Sequence, residues 1–110
     1  MSINIRYIYS ACIVIETKNC KILCDPWFTD GIYDGSWFTF PKVEDPLKLI
    51  GKVDFIYISH IHPDHYDPKF ISSYFKKFGE CELIIPYFKH NHLANKMIRV
   101  DNLNPTIIYE

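Results

Sequence analysis

The sequence of 110 residues predicts a single α/β domain over residues 1–110, with a mixed sheet and helices on one face. Two observations lead to this prediction. Residues 3–24 hold short apolar segments with a two-residue period, separated by turns, which is the pattern of antiparallel strands. From residue 53 onward, apolar segments alternate with segments of helical period, and the order strand, helix, strand, helix, strand is typical of α/β folds.

The N-terminal segments give the antiparallel part of the sheet. Ile3, Ile5 and Tyr7 alternate with polar neighbours, as in a half-buried strand. A Thr-Lys-Asn turn separates the second segment from the third, which ends at Asp25-Pro26. The predicted strands cover residues 3–9, 11–16 and 21–24.

A long connection over residues 27–52 is rich in glycine, aspartate, proline and large aromatic side chains. Asp45-Pro46 predicts the start of a short helix over residues 47–50. Connections of this length are uncommon in compact domains and are usually functional. Its aromatic residues either line a substrate cleft or pack on the core as a lid. The candidates for the cleft are Trp27, Tyr33 and Trp37, with Phe28 and Phe38 beside them.

The next stretch places metal-binding residue types directly after a buried strand over residues 53–59. His60, His62, Asp64 and His65 follow within six positions, and Pro63 bends the chain between them. A curled loop would aim His60 and His62 at one ion, and Asp64 and His65 at a second position close by. Imidazole and carboxylate groups without thiolate suit zinc, iron or manganese and leave positions open for water. We therefore expect one or two metal ions, zinc first.

The remaining segments complete the alternating pattern. Asp67-Pro68 predicts a helix N-terminus, and apolar residues from Phe70 to Phe78 form one face of a helix that ends at Gly79. A strand over residues 81–85 and a helix over residues 91–99 follow. That second helix is expected to bury Leu93, Ala94, Met97 and Ile98. A last strand is predicted over residues 106–109.

At the histidine motif the chain resembles the metallo-β-lactamase superfamily, whose signature His-x-His-x-Asp-His is matched by His60, His62, Asp64 and His65. The resemblance extends from Ile3 to about Tyr87 and includes Asp25 at the end of an early strand. The residue sequence around these motifs is most similar to that of two branches of the superfamily. One contains UlaG-like and N-acyl-phosphatidylethanolamine phospholipase D hydrolases, and the other contains the lactamase-like region of CMP-N-acetylneuraminate hydroxylase.

The resemblance implies a role for each matched residue. His60 and His62 would bind a first metal ion, and Asp64 and His65 a second, with Asp64 also orienting the attacking water as a catalytic residue. Asp25, and with it Asp67, would orient the imidazoles from the second coordination shell. His90 and His92 are weaker metal candidates because they lie near a predicted helix start.

The resemblance also implies an αββα sandwich of which this chain supplies one half. The later family ligands, a histidine, an aspartate and a final histidine, have no counterpart here. Either the chain is an N-terminal fragment, or it is a half-fold that another chain completes. In both cases we expect a strongly apolar sheet face that self-associates or packs against the C-terminal half.

Composition limits the remaining function classes. The net charge is −1 with interspersed signs, so we expect no nucleic-acid partner. No segment is long enough to span a bilayer, and the four cysteines lack a Cys-x-x-Cys spacing, which favours free thiols and a cytoplasmic protein.

The predicted function is a metal-dependent hydrolase that uses a metal-activated water on a small-molecule ester, lactone or phosphodiester. Two alternatives remain open. One is a metal-binding half-domain without turnover that acts in assembly. The other is a partner domain of an oxygenase similar to the sialic-acid hydroxylase.

Overall fold

A computed structural model describes residues 2–109, so the two end residues of the predicted domain lie outside the described part. Six strands form one mixed sheet in the order β1 to β6. The strands are β1 (Asn4–Tyr9), β2 (Cys12–Glu16), β3 (Lys21–Cys24), β4 (Phe55–Tyr57), β5 (Glu82–Pro86) and β6 (Pro105–Ile108). The helices are α1 (Ile32–Gly35), α2 (Pro46–Ile50), α3 (Pro68–Phe78) and α4 (His92–Arg99).

The sheet changes from antiparallel to parallel in its middle. β1 pairs with β2 and β2 with β3 in antiparallel register, whereas β3–β4, β4–β5 and β5–β6 are parallel. The predicted α/β class and mixed sheet are confirmed. Since β3, β4 and β5 run in the same direction, the loops that follow them emerge at the same edge of the sheet. This places Asp25 and the histidine motif side by side.

The core lies between the sheet and the helices. Leu23, Ile56 and Leu83 occupy one row across the three central strands and are buried. They pack in one cluster with buried residues of α3 and α4, such as Ile71 and Met97. The helices therefore cover this face, as predicted.

The opposite sheet face, which we call the open face, is mostly apolar. Its side chains are exposed on β1 and half-buried on the central strands. The open face consists of the apolar residues Ile5, Tyr7, Ile13, Ile15, Ile22, Cys24, Phe55, Tyr57, Ile84, Pro86 and Ile108, with Glu82 and Thr106 as its polar members. The apolar alternation of β1 therefore belongs to the open face, while Arg6 faces the helix side and donates to the carbonyls of Leu49 and Ile50.

Several local predictions need correction. Ile98 is 53% exposed, so its predicted burial is wrong: the inward face of α4 is Leu93, Ala94 and Met97. The strand predicted over residues 53–59 is only Phe55–Tyr57. The short helix α1 was not predicted at all, because two of its residues have left-handed backbone angles that no helical pattern encodes.

The four cysteines are free. Cys12 is fully buried, and burial raises the pKa of its thiol to about 12. Burial likewise raises the pKa of Cys24 and that of Cys81, each to about 11. Among the described residues, no helix is both long and apolar enough to cross a membrane.

Candidate metal centre

Asp25 is the anchor of the candidate site. It follows β3 directly, with a left-handed φ of 46° that aspartate tolerates better than most residues. The residue is 7% exposed, and its carboxylate accepts hydrogen bonds from the Ser59 backbone N–H at 2.7 Å and the Ser59 hydroxyl at 2.6 Å. It also contacts Nδ1 of His65 at 2.9 Å. Asp25 therefore binds the histidine loop through Ser59 and His65, and its role as a second-shell partner of metal ligands stays a prediction.

These contacts settle which ring nitrogens carry the protons. Because a carboxylate only accepts, Ser59 must donate its one hydroxyl proton to Asp25. The Ser59 oxygen then accepts from Nδ1 of His60, which lies 2.8 Å away. Nδ1 of His65 likewise donates to Asp25. In the neutral state, both imidazoles therefore keep a free lone pair on Nε2, the nitrogen that a metal would bind.

The three motif histidines lie against one another. The ring of His60 is 4.0 Å from that of His65 and 4.8 Å from that of His62, centroid to centroid. The loop is tightened because the His62 carbonyl accepts from the backbone N–H groups of His65 and Tyr66. The ring of His60 therefore lies against both of the other imidazoles. The expected assignment of His60 and His62 to one ion, and of Asp64 and His65 to a second, stays a prediction.

Asp64 completes the cluster. Its Oδ2 lies 3.5 Å from Nε2 of His65. Two ligands bound at about 2.0–2.1 Å to a tetrahedral zinc would be about 3.3 Å apart, so this pair has a suitable spacing. Its other oxygen, Oδ1, accepts a hydrogen bond of 2.8 Å from the hydroxyl of Tyr33. Burial and the Asp64 carboxylate raise the pKa of the Tyr33 phenol.

The cluster favours neutral imidazole at His60. Burial lowers the pKa of His60, and the neighbouring His65 and His62 lower it further, against the opposing effect of Asp25 and Asp64. Neutral imidazole is the form that binds metal. The donor set and the Asp64–His65 spacing therefore fit a divalent cation. However, no group of three or more His, Cys, Asp or Glu side chains within residues 2–109 is arranged around a single point that could hold a metal ion.

Asp67 caps α3 as predicted, and its carboxylate contacts none of the motif imidazoles. Its Oδ1 caps α3 by accepting from the Phe70 backbone N–H at 3.0 Å. The same carboxylate accepts from the backbone N–H groups of Phe28 and Thr29 and from the Thr29 hydroxyl. These four donors belong to backbone and hydroxyl groups and to no imidazole. Asp67 therefore ties the start of the long connection to α3 instead of orienting a histidine.

The aromatic residues of the long connection were expected either to line a substrate cleft or to pack on the core, and they differ in which of these they do. Trp27 is 5% exposed and packs as part of the core, with its indole N–H donated to the Thr29 carbonyl. Trp37 is largely exposed and lies between Trp27 and Tyr33. Tyr33 is the one that reaches the cluster, through Asp64.

Two grooves adjoin the histidine loop. One, of about 200 Å³, is lined by His60, Ile61, Phe88, His90, His92 and Leu93. It gives a small molecule a way to reach His60, and His90 and His92 lie near the motif as part of its lining. The second, of about 210 Å³, lies at the start of α3 and includes Tyr66, Asp67 and Lys96, but none of the motif histidines lines it. No local sequence pattern pointed to Ser59 or Phe88: Ser59 acts on Asp25, 34 residues away, and Phe88 is a lining residue of the groove.

Comparison with known protein families shows which family the chain belongs to. Residues 4–110 match the family described as the beta-lactamase superfamily domain. The chain belongs to the β-lactamase superfamily.

Individual relatives are larger proteins. The chain is 42% identical over 65 residues to a putative Rieske 2Fe-2S iron-sulfur protein of Mycolicibacterium smegmatis, which covers 58% of this chain and 12% of that protein. It is 33% identical over 85 residues to one of Mycobacterium tuberculosis, covering 76% of this chain and 16% of that protein. It is 31% identical over 64 residues to the cytidine monophosphate-N-acetylneuraminic acid hydroxylase of Danio rerio, covering 57% of this chain and 11% of that protein.

Proposed function

We propose that this chain carries the metal-binding loop of a metal-dependent hydrolase of the β-lactamase superfamily. The proposed ligands are His60, His62, Asp64 and His65. The observation that supports them best is the tautomer argument: Ser59 and Asp25 engage Nδ1 of His60 and His65, which leaves Nε2 of each ring free.

A divalent metal such as zinc, when bound, supplies a water of lowered pKa and polarises a scissile carbonyl or phosphoryl group. The chain's own groups do the rest. Asp64 would bind the ion and orient a proton of its water, while Asp25 keeps His65 in its Nδ1–H tautomer. The groove beside His60, with Ile61, Phe88 and Leu93 as its apolar lining, would hold the organic part of an ester, lactone or phosphodiester substrate.

Purified protein tests the ligand assignment directly. Metal content should be measured by mass spectrometry for the wild type, for His62→Ala and for His90→Ala. We expect His62→Ala to lose at least half of the bound metal, because it removes a proposed ligand. His90→Ala should keep the full amount, since this histidine lies outside the motif. Undiminished metal in His62→Ala would refute the assignment.

An oxygenase-related role is the second candidate, and the names of the relatives favour it. A Rieske cluster needs two cysteine and two histidine ligands. No Cys-x-His spacing occurs in this sequence, and Cys12 is fully buried, so an iron–sulfur centre would have to lie on another polypeptide segment. Turnover of ester, lactone or phosphodiester substrates by the metal-loaded protein supports the hydrolase. Metal binding without any turnover supports the oxygenase-related role or an assembly role.

The open face is the proposed contact surface for the remainder of such a protein. The chain spans between 11% and 16% of the length of the three relatives described above. A second sheet packed on the open face would complete the sandwich expected for this superfamily.

A further inference from the structure

Residues 31–37 form a closed loop, which we call the Tyr33 loop. Its ends are joined because Gly31 N–H donates to the Trp37 carbonyl at 2.8 Å and Trp37 N–H donates to the Ile32 carbonyl at 3.0 Å. Within it, Tyr33 and Asp34 have φ values of 52° and 57°. Two consecutive non-glycine residues in the left-handed region are unfavourable and persist only where the surroundings impose them.

The two segments that flank the loop bind each other, and the loop packs on one buried side chain. Thr39 donates its backbone N–H and its hydroxyl to Asp30, and Asp30 forms an ion pair with Lys42. On the inner side, the buried Trp27 lies 6.2 Å from Trp37, centroid to centroid. The strained turn is therefore held by packing on Trp27 and by the hydrogen bonds between its flanking residues.

This arrangement brings the Tyr33 phenol within hydrogen-bond distance of the Asp64 carboxylate. The Tyr33 ring packs 4.7 Å from Trp37, and its hydroxyl donates to Oδ1 of Asp64 at 2.8 Å. With Oδ1 fixed in this way, Oδ2 is left beside Nε2 of His65.

We infer that Tyr33 is a positioning residue that keeps Oδ2 of Asp64 beside Nε2 of His65, so that this pair can take up a metal ion. The inference rests on the proposed metal site. Tyr33 acts through Asp64 and is not itself a ligand. Its hydroxyl removes the rotational freedom of the carboxylate before the ion arrives, so the Asp64–His65 pair does not have to be ordered on binding.

The test uses Zn²⁺ titrations of the purified chain by calorimetry. Tyr33→Phe removes only the hydroxyl, and we expect it to weaken Zn²⁺ binding by about tenfold, as is usual for loss of an outer-shell partner. Tyr87→Phe is the matched control, because Tyr87 is exposed and packs on Tyr109, away from the cluster. It should bind Zn²⁺ like the wild type. In metal-free protein, the ¹³Cγ resonance of Asp64 should shift in Tyr33→Phe and not in Tyr87→Phe.

A third comparison separates positioning from general structural support. In an Asp64→Ala background, Tyr33→Phe should leave the weakened Zn²⁺ affinity unchanged, because the carboxylate through which Tyr33 acts is gone. Equal losses in both backgrounds would overturn the inference, as would a Tyr33→Phe protein that binds Zn²⁺ as tightly as the wild type. Neither result would affect the proposed ligands. A wild type that binds no Zn²⁺ would overturn the proposed site and this inference together.

Discussion

At the scale of single residues, Asp25 decides how the histidine loop is built. Its carboxylate joins the loop after β3 to the loop after β4 through three hydrogen bonds. It also occupies a left-handed position, where a side chain that can bond locally is favoured. Replacing it would leave the Ser59 N–H, the Ser59 hydroxyl and the His65 ring without their acceptor.

We therefore expect Asp25→Ala to lower the free energy of unfolding by about 3 kcal/mol, since each buried group left unpaired costs about 1–3 kcal/mol. Asp25→Asn keeps the volume and tolerates the backbone angle, so it should cost roughly half as much. Urea denaturation measures both. Glu80→Ala, at an exposed position after α3, is the control and should change stability by less than about 0.5 kcal/mol. An Asp25→Ala protein as stable as the wild type would contradict the anchoring role.

The identity of the motif residues could be predicted from the sequence, and the partners that orient them could not. Spacing alone singled out His60, His62, Asp64 and His65. Their roles as metal ligands stay a prediction. Ser59 and Tyr33 act across 34 and 31 residues, on Asp25 and Asp64. Only the folded chain brings such positions together, so no local pattern marks Ser59 as a support or Tyr33 as a partner of Asp64.

At the scale of elements, the same dipeptide starts two helices with different consequences. Asp45-Pro46 begins α2 and Asp67-Pro68 begins α3, and both aspartates cap their helix as the sequence predicted. Asp45 is exposed, and its carboxylate accepts one hydrogen bond, from the Lys48 backbone N–H at 3.1 Å. Asp67 is buried and also binds the Phe28–Thr29 backbone. The capping role follows from local chemistry, whereas the second role of Asp67 depends on tertiary structure.

This pair gives a matched test. Asp45→Ala should cost about 1 kcal/mol of unfolding free energy, the usual value for an N-cap. Asp67→Ala should cost at least about 3 kcal/mol, because two backbone N–H groups and a hydroxyl lose their acceptor in addition to the cap. Chemical denaturation of both variants measures the difference. Equal losses would show that the contacts to residues 28 and 29 add nothing to the capping of α3.

At the scale of the whole molecule, the two faces of the sheet have very different surroundings. The helix face is covered by α3 and α4 and contains the buried row Leu23, Ile56 and Leu83. The open face is mostly apolar. Among the described strand residues, Glu82, beside Phe55, is the one charged side chain that the strand register assigns to this face. Folded proteins rarely expose a continuous apolar surface of this kind unless it contacts another surface.

We predict that the isolated chain self-associates through the open face, with a second copy taking the place of the other half of the sandwich. Ile15 lies there between Ile5 and Ile22, so Ile15→Lys places a charge in the centre of the contact. Each buried isoleucine contributes about 1.5–3 kcal/mol, so the dimer dissociation constant should rise by about tenfold or more.

Sedimentation velocity over a range of concentrations measures this association, with circular dichroism to show that each variant is folded. Ile98→Lys is the control: it makes the same substitution at an exposed position of α4, on the opposite side of the sheet, and should leave association unchanged. Since an apolar surface that is free in solution also binds hydrophobic dyes, Ile15→Lys should bind more dye per chain than the associated wild type. A wild type that remains monomeric at high concentration without binding dye would contradict the prediction, because the open face would then be stable in water without a partner.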